Sequence, residues 1–436
     1  MKMRHGIETQ FPVLPQDKVN SLFSNNQIHS VLYCSGIVDL NLISLTQKYI
    51  FQMYPIMNCK LTETQGDVAW EAGKQEGEYF EFELLEDARE LEKKIKAYML
   101  EVESTWKSPQ VRMKIFRGTH DVICIKVQHT YCDGAGLKKY LQMFTSTYTS
   151  LCKEDIDFKF SLKEGDRGKG AISKYLSSGS EVENRILGTA PLNAEWLFPL
   201  KNNSIEESRK NIEISILRLN EDFYASLHRY AKDKKATIND VILAAYYRSL
   251  CSITGKYGSG QLGIDLTLDM RKYFSDYQEE LICNLASSEK VYVEISSHDS
   301  FETTLSRVQD KTSEMKKNKM GVEGLKTFEF LGNKKYKDLK EYFRESMSLM
   351  RLNKSRDPIL SNFGILFSEK LFLGEVVVED AYLVSPYVQA PSFMLGVSCY
   401  NQKITFTVTY DSLMTSMREV ELLLNTIAAE LILEIA

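Results

Sequence analysis

The chain has 436 residues, 43% of them hydrophobic and 26% charged, with 23 Gly and 9 Pro; this is the usage of folded globular proteins and excludes collagen-like, coiled-coil and wholly disordered classes. At roughly 100 to 200 residues per domain the length predicts two domains. Lys and Arg number 54 against 59 Asp and Glu, a net charge of −5, too small and of the wrong sign for general attraction to nucleic acid or an anionic membrane, so an anionic ligand has to be met by a local patch.

The N-terminus, Met1-Lys2-Met3-Arg4-His5, is basic but runs into Gly6-Ile7-Glu8 without the apolar stretch of about 7 to 15 residues that a secretory signal needs. Residues from about Ser30 to Leu61 read as a strand followed by a helix, and Leu85 to Glu103 as an amphipathic helix. Met113–Arg117 and Val122–Gln128 read as two strands joined at Gly118-Thr119-His120-Asp121, which places His129 at a strand end. After Gly134, apolar Leu137, Tyr140, Leu141, Phe144, Tyr148 and Leu151 recur at three and four residues, one face of a helix. Periodicity then fades, and Gly165, Gly168, Gly170, Ser177, Ser178, Gly179 and Ser180 mark a linker over 161–206 between lobes at 1–160 and 207–436.

The second lobe restarts with alternating Ile212, Ile214 and Ile216, then a helix whose start, Thr237-Ile238-Asn239-Asp240, has the capping-box pattern. Strand character recurs at 262–269, 291–295, 359–367, 376–378, 393–400 and 404–410, separated by helices such as Phe301–Asn318 and the last twenty residues. The uncharged run Ala381–Gln402 is long enough to span a bilayer, but Pro386, Pro391, Gln389 and Gln402 predict buried sheet and turns, with no stable membrane insertion. The eight cysteines are scattered, without a C-x-x-C pair or zinc spacing; the expectation is reduced thiols in a cytoplasmic protein and no metal site.

One constellation carries chemistry: Gln128-His129-Thr130-Tyr131-Cys132-Asp133-Gly134-Ala135-Gly136, after a strand and before a helix. A histidine held at a strand end can face a cleft, and its ordinary pKa of about 6.5 suits removal of a proton from a hydroxyl or amine. Asp133 is too close in chain to act as a separate acid and reads as an ion-pair partner that fixes the loop; Gly134, without a Cβ, leaves room where a narrow ligand could pass. Cys132, three residues from His129 on a loop, is not expected to act as a nucleophile, and His5, His29, His120, His228 and His298 read as ordinary core or surface histidines.

The motif resembles that of the coenzyme-A-dependent acyltransferase superfamily, whose members include nonribosomal-peptide condensation domains, plant-type and polyketide-associated acyltransferases, and alcohol acetyltransferases. Their shared pattern is His-His-x-x-x-Asp-Gly. Tyr54-Pro55-Ile56-Met57-Asn58, Ala236 to Ala245, Asp265 to Arg271, Cys283-Asn284-Leu285 and Ser361-Asn362-Phe363-Gly364 resemble further family segments in the expected order. The resemblance implies an α/β fold of two chloramphenicol-acetyltransferase-like, two-layer α+β lobes with an active-site tunnel at their interface and a crossover segment near 355–392. It implies acyl transfer from a thioester to a hydroxyl or amine of a small-molecule acceptor, with His129 as general base and no covalent acyl-enzyme. Asp133 would pair with Arg271 across the lobes, Gly134 would admit the pantetheine arm, and Asn284, Ser361 and Asn362 would line the tunnel or donate to the oxyanion.

No cofactor would be bound permanently; acyl-coenzyme A or an acyl-phosphopantetheine would be co-substrate, and an acyl carrier protein is a candidate partner. Gln128 replaces the first motif His, and the plant-type Asp-Phe-Gly-Trp-Gly segment is absent. Between Lys311 and Lys340 nine Lys face four acids; Lys316, Lys317, Lys334 and Lys335 are candidates for the coenzyme phosphates, against the plainer reading of solvated helix faces. Two alternatives share the fold: a free-standing condensation-type enzyme forming an amide on carrier-bound substrates, and a non-catalytic protein that docks a carrier or partner. Without an attached carrier or adenylation segment in the sequence, soluble coenzyme A is the expected donor.

Overall fold

In the computed structural model the described residues are 11–23, 25–73, 80–153, 167–177, 211–257, 261–274, 282–353, 358–389 and 392–435. The first half contributes helices α1 (Pro15–Asn20), α2 (Leu40–Met53), α3 (Leu91–Leu100), α4 (Gly134–Cys152) and α5 (Lys169–Ser177). Its strands are β1 (Gln27–Cys34), β2 (Cys59–Thr64), β3 (Asp67–Ala72), β4 (Glu81–Leu84), β5 (Val111–Arg117) and β6 (Asp121–Gln128). The second half adds β7 (Ile212–Leu219), α6 (Glu221–Asp233), α7 (Ile238–Thr254), β8 (Gln261–Asp269), β9 (Ala286–Glu294), α8 (Phe301–Lys317), α9 (Val322–Gly332) and α10 (Tyr336–Asn353). It closes with β10 (Ile359–Ile365), β11 (Phe372–Leu373), β12 (Val376–Val384), β13 (Met394–Tyr400), β14 (Lys403–Asp411) and α11 (Met417–Ile435).

Two six-stranded sheets organise these elements, in the orders β11-β12-β1-β6-β5-β4 and β7-β14-β13-β10-β8-β9, beside a β2-β3 hairpin. The first is completed by strands from the far end of the chain: β12 pairs antiparallel with β1, from His29 opposite Val384 to Cys34 opposite Val378. Leu366, Leu371, Leu373, Val378 and Leu383 accordingly lie in the first-half core with Ile28, Leu32, Ile123, Ile125, Leu137 and Phe144. The second core gathers around α7, α11 and the inner faces of β13 and β14.

Local sequence explains the elements nearest the motif. Strand β6 reads D-V-I-C-I-K-V-Q and is buried along its whole length, as a β-branched run between two partners requires. The Asp133 carboxylate accepts from the Gly136 N–H at 2.8 Å and so caps α4. At α7, Thr237 N–H donates to Asp240 Oδ2 (3.0 Å) and Asp240 N–H to Thr237 Oγ1 (3.1 Å), the reciprocal capping box.

The structure corrects several sequence expectations. The helix read over Leu85–Glu103 starts only at Leu91, because Leu85 N–H still bonds to Arg117 O (2.8 Å) along the sheet and Asp87 caps Arg89. The β2-β3 hairpin, absent from the strand-then-helix reading of 30–61, turns at Gln65-Gly66 with φ of 50° and 81°. Of the 161–206 segment read as a linker, only 167–177 fall within the described residues; they include α5 and the buried Arg167.

Candidate active site

His129 follows directly on β6, where its N–H donates to Asn26 O (2.8 Å) ahead of β1. The N–H groups of Tyr131 and Cys132 both return to Gln128 O (3.0 and 3.2 Å), closing a turn before α4. Inside it, His129 Nδ1 lies 2.9 Å from Cys132 O. A carbonyl only accepts, and at 2.9 Å it is the nearer partner of Nδ1, the Asn284 amide nitrogen 3.4 Å away being spent on His129 O; Nδ1 therefore carries the proton and Nε2 keeps its lone pair. Burial lowers the imidazole pKa below its ordinary value, against the opposing pull of the Cys132 carbonyl and Asp133.

The second lobe reaches this loop through Arg271, Cys283, Asn284 and Leu285, among others, with Cys283 O accepting from Asp133 N–H at 3.4 Å. Arg271, in the short 3-10 turn after β8, donates through Nη1 to Asp133 Oδ2 (2.8 Å) and Asp269 Oδ1 (3.0 Å), and through Nη2 to Cys283 O (2.7 Å). Leu285 N–H donates to the same Asp133 oxygen at 2.7 Å. Burial alone would raise the Asp133 carboxyl, but the guanidinium and the N–H groups of Gly136 and Leu285 outweigh it and hold the carboxyl below its usual range. Asn284 Nδ2 donates to His129 O at 2.6 Å, while its Oδ1 accepts from Ala286 N–H at 3.1 Å. The first motif position is also accounted for: Gln128 is buried and its amide donates to Gln27 Oε1 at 3.3 Å.

Ser361 and Asn362 belong to β10 and bond away from the His129 turn. Ser361 Oγ accepts from Thr267 Oγ1 (3.1 Å); Asn362 donates to Asn239 Oδ1 (3.0 Å) and accepts from Gly364 N–H (2.8 Å). The space beside Gly134 is not open as expected: a Cβ there would meet two ring carbons of Phe363 at 2.4 and 2.5 Å. A cavity of about 180 Å³ does exist at the junction of the halves, but it is lined by Leu14, Lys18, Asp67, Lys169, Glu329 and Asn333 among others and includes none of the motif residues.

No protein-family model matches the chain, and no curated protein sequence does. Solved structures match along nearly its whole length. The first condensation domain of the CDA synthetase superposes with a TM-score of 0.67 at 12% identity, covering 97% of each chain. TRI3 trichothecene 15-O-acetyltransferase from Fusarium sporotrichioides gives 0.71 at 11% identity, over 98% of this chain and 95% of that one. Polyketide synthase associated protein 5 from Mycobacterium tuberculosis gives 0.66 at 10%, over 96% of both. The chain has the condensation-domain fold.

The four candidate lysines fall in two pairs, one at the end of α8 and one between α9 and α10. Lys316 stands 3.8 Å from Asp240 at the start of α7, with Lys317 exposed beside it. Lys334 lies beyond α9, an 11-residue helix about 16 Å long, with its ammonium over the Phe330 ring at 4.6 Å, next to the exposed Lys335. One contact on the motif and one just beyond it escaped the sequence reading. Arg167, buried and ion-paired with Asp17, donates to Tyr131 O at 3.3 Å; it lies in a stretch without periodicity, so nothing in its neighbours signalled it. Lys138 donates to Phe363 O at 2.9 Å. Among the described residues, no cluster of His, Cys, Asp and Glu could hold a metal and no helix is long and apolar enough to cross a membrane.

Proposed function

We propose that the protein transfers an acyl group from a thioester, acyl-coenzyme A, to a hydroxyl or amine, with His129 as general base. The observation that carries this reading is the fixed tautomer: the Cys132 carbonyl occupies Nδ1, which leaves Nε2 free to accept the acceptor's proton. With its pKa lowered by burial, the imidazole is neutral at pH 7 and ready to act. The acceptor oxygen or nitrogen gives its proton to Nε2 as it bonds to the thioester carbonyl carbon. The tetrahedral oxyanion then collapses, the carbon–sulfur bond breaks, and the thiolate takes the proton back from the imidazolium. No side chain of the protein is acylated.

Asp133 has no part in proton transfer, because its oxygens are committed to Arg271, Leu285 and Gly136. Its work is to lock the turn, with Asn284 holding the His129 carbonyl from the other lobe. The fold shared with a named O-acetyltransferase supports acyl transfer as the reaction class.

The test is thiol release from a panel of acyl-coenzyme A donors, and from the same acyl groups on a carrier protein, against pooled alcohols and amines. Wild type should release thiol only when an acceptor is present, and His129→Ala should lower the rate by about 10² to 10⁴. Equal release by His129→Ala contradicts the base assignment. Release from carrier-bound donors alone would move the reading to the amide-forming condensation alternative.

A further inference from the structure

Arg167 lies outside the motif and just ahead of α5. Its neighbours Lys169 and Gly170 are exposed, yet its own side chain is buried. The backbone takes a left-handed conformation there, with φ of 55°, which a residue carrying a Cβ adopts only at a cost and which persists where the surroundings fix it. The guanidinium supplies the fixing contacts. Nη1 donates to Pro12 O at 3.0 Å and to Asp17 Oδ2, and Nη2 donates to Asp17 Oδ1 at 3.1 Å, a two-pronged ion pair with α1. The Asp17 carboxylate is anchored in turn by Leu14 N–H (3.0 Å) and by Trp70 Nε1 of β3 (2.9 Å).

From this anchorage Nη2 reaches into the motif, to Tyr131 O at 3.3 Å. Each peptide of the turn from His129 to Asp133 is then held. Asn284 donates to His129 O, Gln128 O accepts from the N–H groups of Tyr131 and Cys132, and Cys283 O accepts from Asp133 N–H. The Tyr131–Cys132 peptide has its N–H on Gln128 O and its oxygen on Arg167. A peptide is planar, so these two bonds fix the plane that precedes the next carbonyl, Cys132 O, which meets His129 Nδ1 at 2.9 Å. A weaker contact, Cys283 Sγ to Arg167 O at 3.5 Å, ties Arg167 to the segment that carries Asn284 and Leu285.

We propose that Arg167, held by Asp17, is a positioning residue for His129: by fixing the Tyr131–Cys132 peptide it keeps the Cys132 carbonyl on Nδ1, and so keeps Nε2 as the proton-accepting nitrogen. This inference rests on the acyltransferase reading and deepens it, adding a residue outside the motif that acts on the base through the backbone. Without the guanidinium the Tyr131–Cys132 peptide keeps only its N–H bond and can rotate. Cys132 O then leaves Nδ1, and the proton distributes between the two ring nitrogens. A ring with its proton on Nε2 cannot accept another there, so the fraction of competent enzyme falls.

The test compares wild type with Arg167→Met and with Arg167→Met combined with Asp17→Asn. The double variant removes both charges of the buried pair, and it serves should the single variant, with Asp17 left unpaired, fail to fold. The first readout needs no substrate: the ring-nitrogen NMR shifts of isotope-labelled histidine, with the His129 signals assigned from His129→Gln. Wild type should show His129 protonated at Nδ1 alone, and the folded variants a mixture of the two tautomers. The second readout is acceptor-dependent thiol release with the best donor of the acyl-coenzyme A panel. In the variants kcat should fall by about 10- to 100-fold with KM within about twofold of wild type, and Arg167→Lys, which restores one charged donor, should recover part of kcat. A His129 ring that stays protonated at Nδ1 in the folded variants overturns the proposal, as does a mixture of tautomers with undiminished kcat. Thiol release from wild type with unchanged rings in the variants would sink this inference and leave the acyltransferase reading standing. A tautomer shift in the variants of a protein that releases no thiol would sink that reading and leave the hold of Arg167 on His129 standing.

Discussion

Asp133 receives three donors on its two oxygens, and only one of them, Gly136 N–H, comes from its own lobe. Removing Arg271 would leave a buried carboxylate with two backbone N–H groups and no counter-charge. Arg271→Ala should therefore cost about 3 to 5 kcal/mol in a urea titration, and Arg271→Lys less, because one charged donor is restored. A second buried group gives a pH prediction. Burial, and after it the charge of Lys126, drives His29 down to about 3; in the unfolded chain it titrates at about 6.5. The unfolded state thus binds the proton first. The stability tied to neutral His29 is complete above about pH 6.5 and is lost as pH falls toward the folded value. The urea midpoint of the wild type should drop between about pH 6.5 and about pH 4, and His29→Leu should flatten that slope; parallel curves would show that His29 does not titrate as described. Of the residues around the motif, His129, Asp133 and Arg271 were legible in the sequence because their types and spacing matched a known pattern. Phe363 was quoted in a resembling segment but given no role, since nothing in the sequence says that a bulge turns it toward Gly134.

Helices with regular apolar spacing and an explicit cap were readable in advance, and α7 is the clearest case. Its Thr237 hydroxyl both accepts from Asp240 N–H and donates to Asp240 Oδ2 at 2.6 Å. Thr237→Ala should cost about 1 kcal/mol, measured by denaturant titration; no loss would mean the cap is replaced by water. The β2-β3 hairpin was harder to read. Its alternation of buried Cys59 and Leu61 with half-buried Lys60 and Thr62 runs only a few residues, and its turn, Gln65-Gly66, lacks the commonest turn pair. In β4 only Glu83 is half-buried among exposed neighbours, which leaves no apolar alternation to find. Ends of elements were set by partners distant in sequence, as when Leu85 stays bonded to Arg117 and delays α3.

At the scale of the molecule, the halves are interlocked through the sheets as well as the ion pair. Strand β1 sits between β6 and β12, so the first sheet lacks two of its strands until residue 384 is in place. A fragment of residues 1–210 would expose the β12-facing edge of β1 and lose Leu373, Val378 and Leu383 from its core. Expressed alone it should show no cooperative thermal unfolding and weak near-ultraviolet dichroism, and it should regain both when mixed with residues 211–436. A sharp transition in the fragment alone would show that the first sheet does not need the crossing strands. Two halves of mixed strands and helices were expected from the sequence; the pairing of β12 with β1 is a long-range contact that local periodicity does not encode.

Interlocking also explains why His129, the proposed base, is held from both sides: the first lobe supplies Cys132 O to Nδ1, and the second supplies Asn284 to the backbone. The most direct test of this account is the pH dependence of kcat/KM for acceptor-dependent thiol release. It should rise through a single ionisation below about pH 6.5 to a plateau, and the rise should vanish with the activity in His129→Ala. A rate that does not change with pH across that range, or an undiminished profile in His129→Ala, would contradict the assignment of His129 as the base.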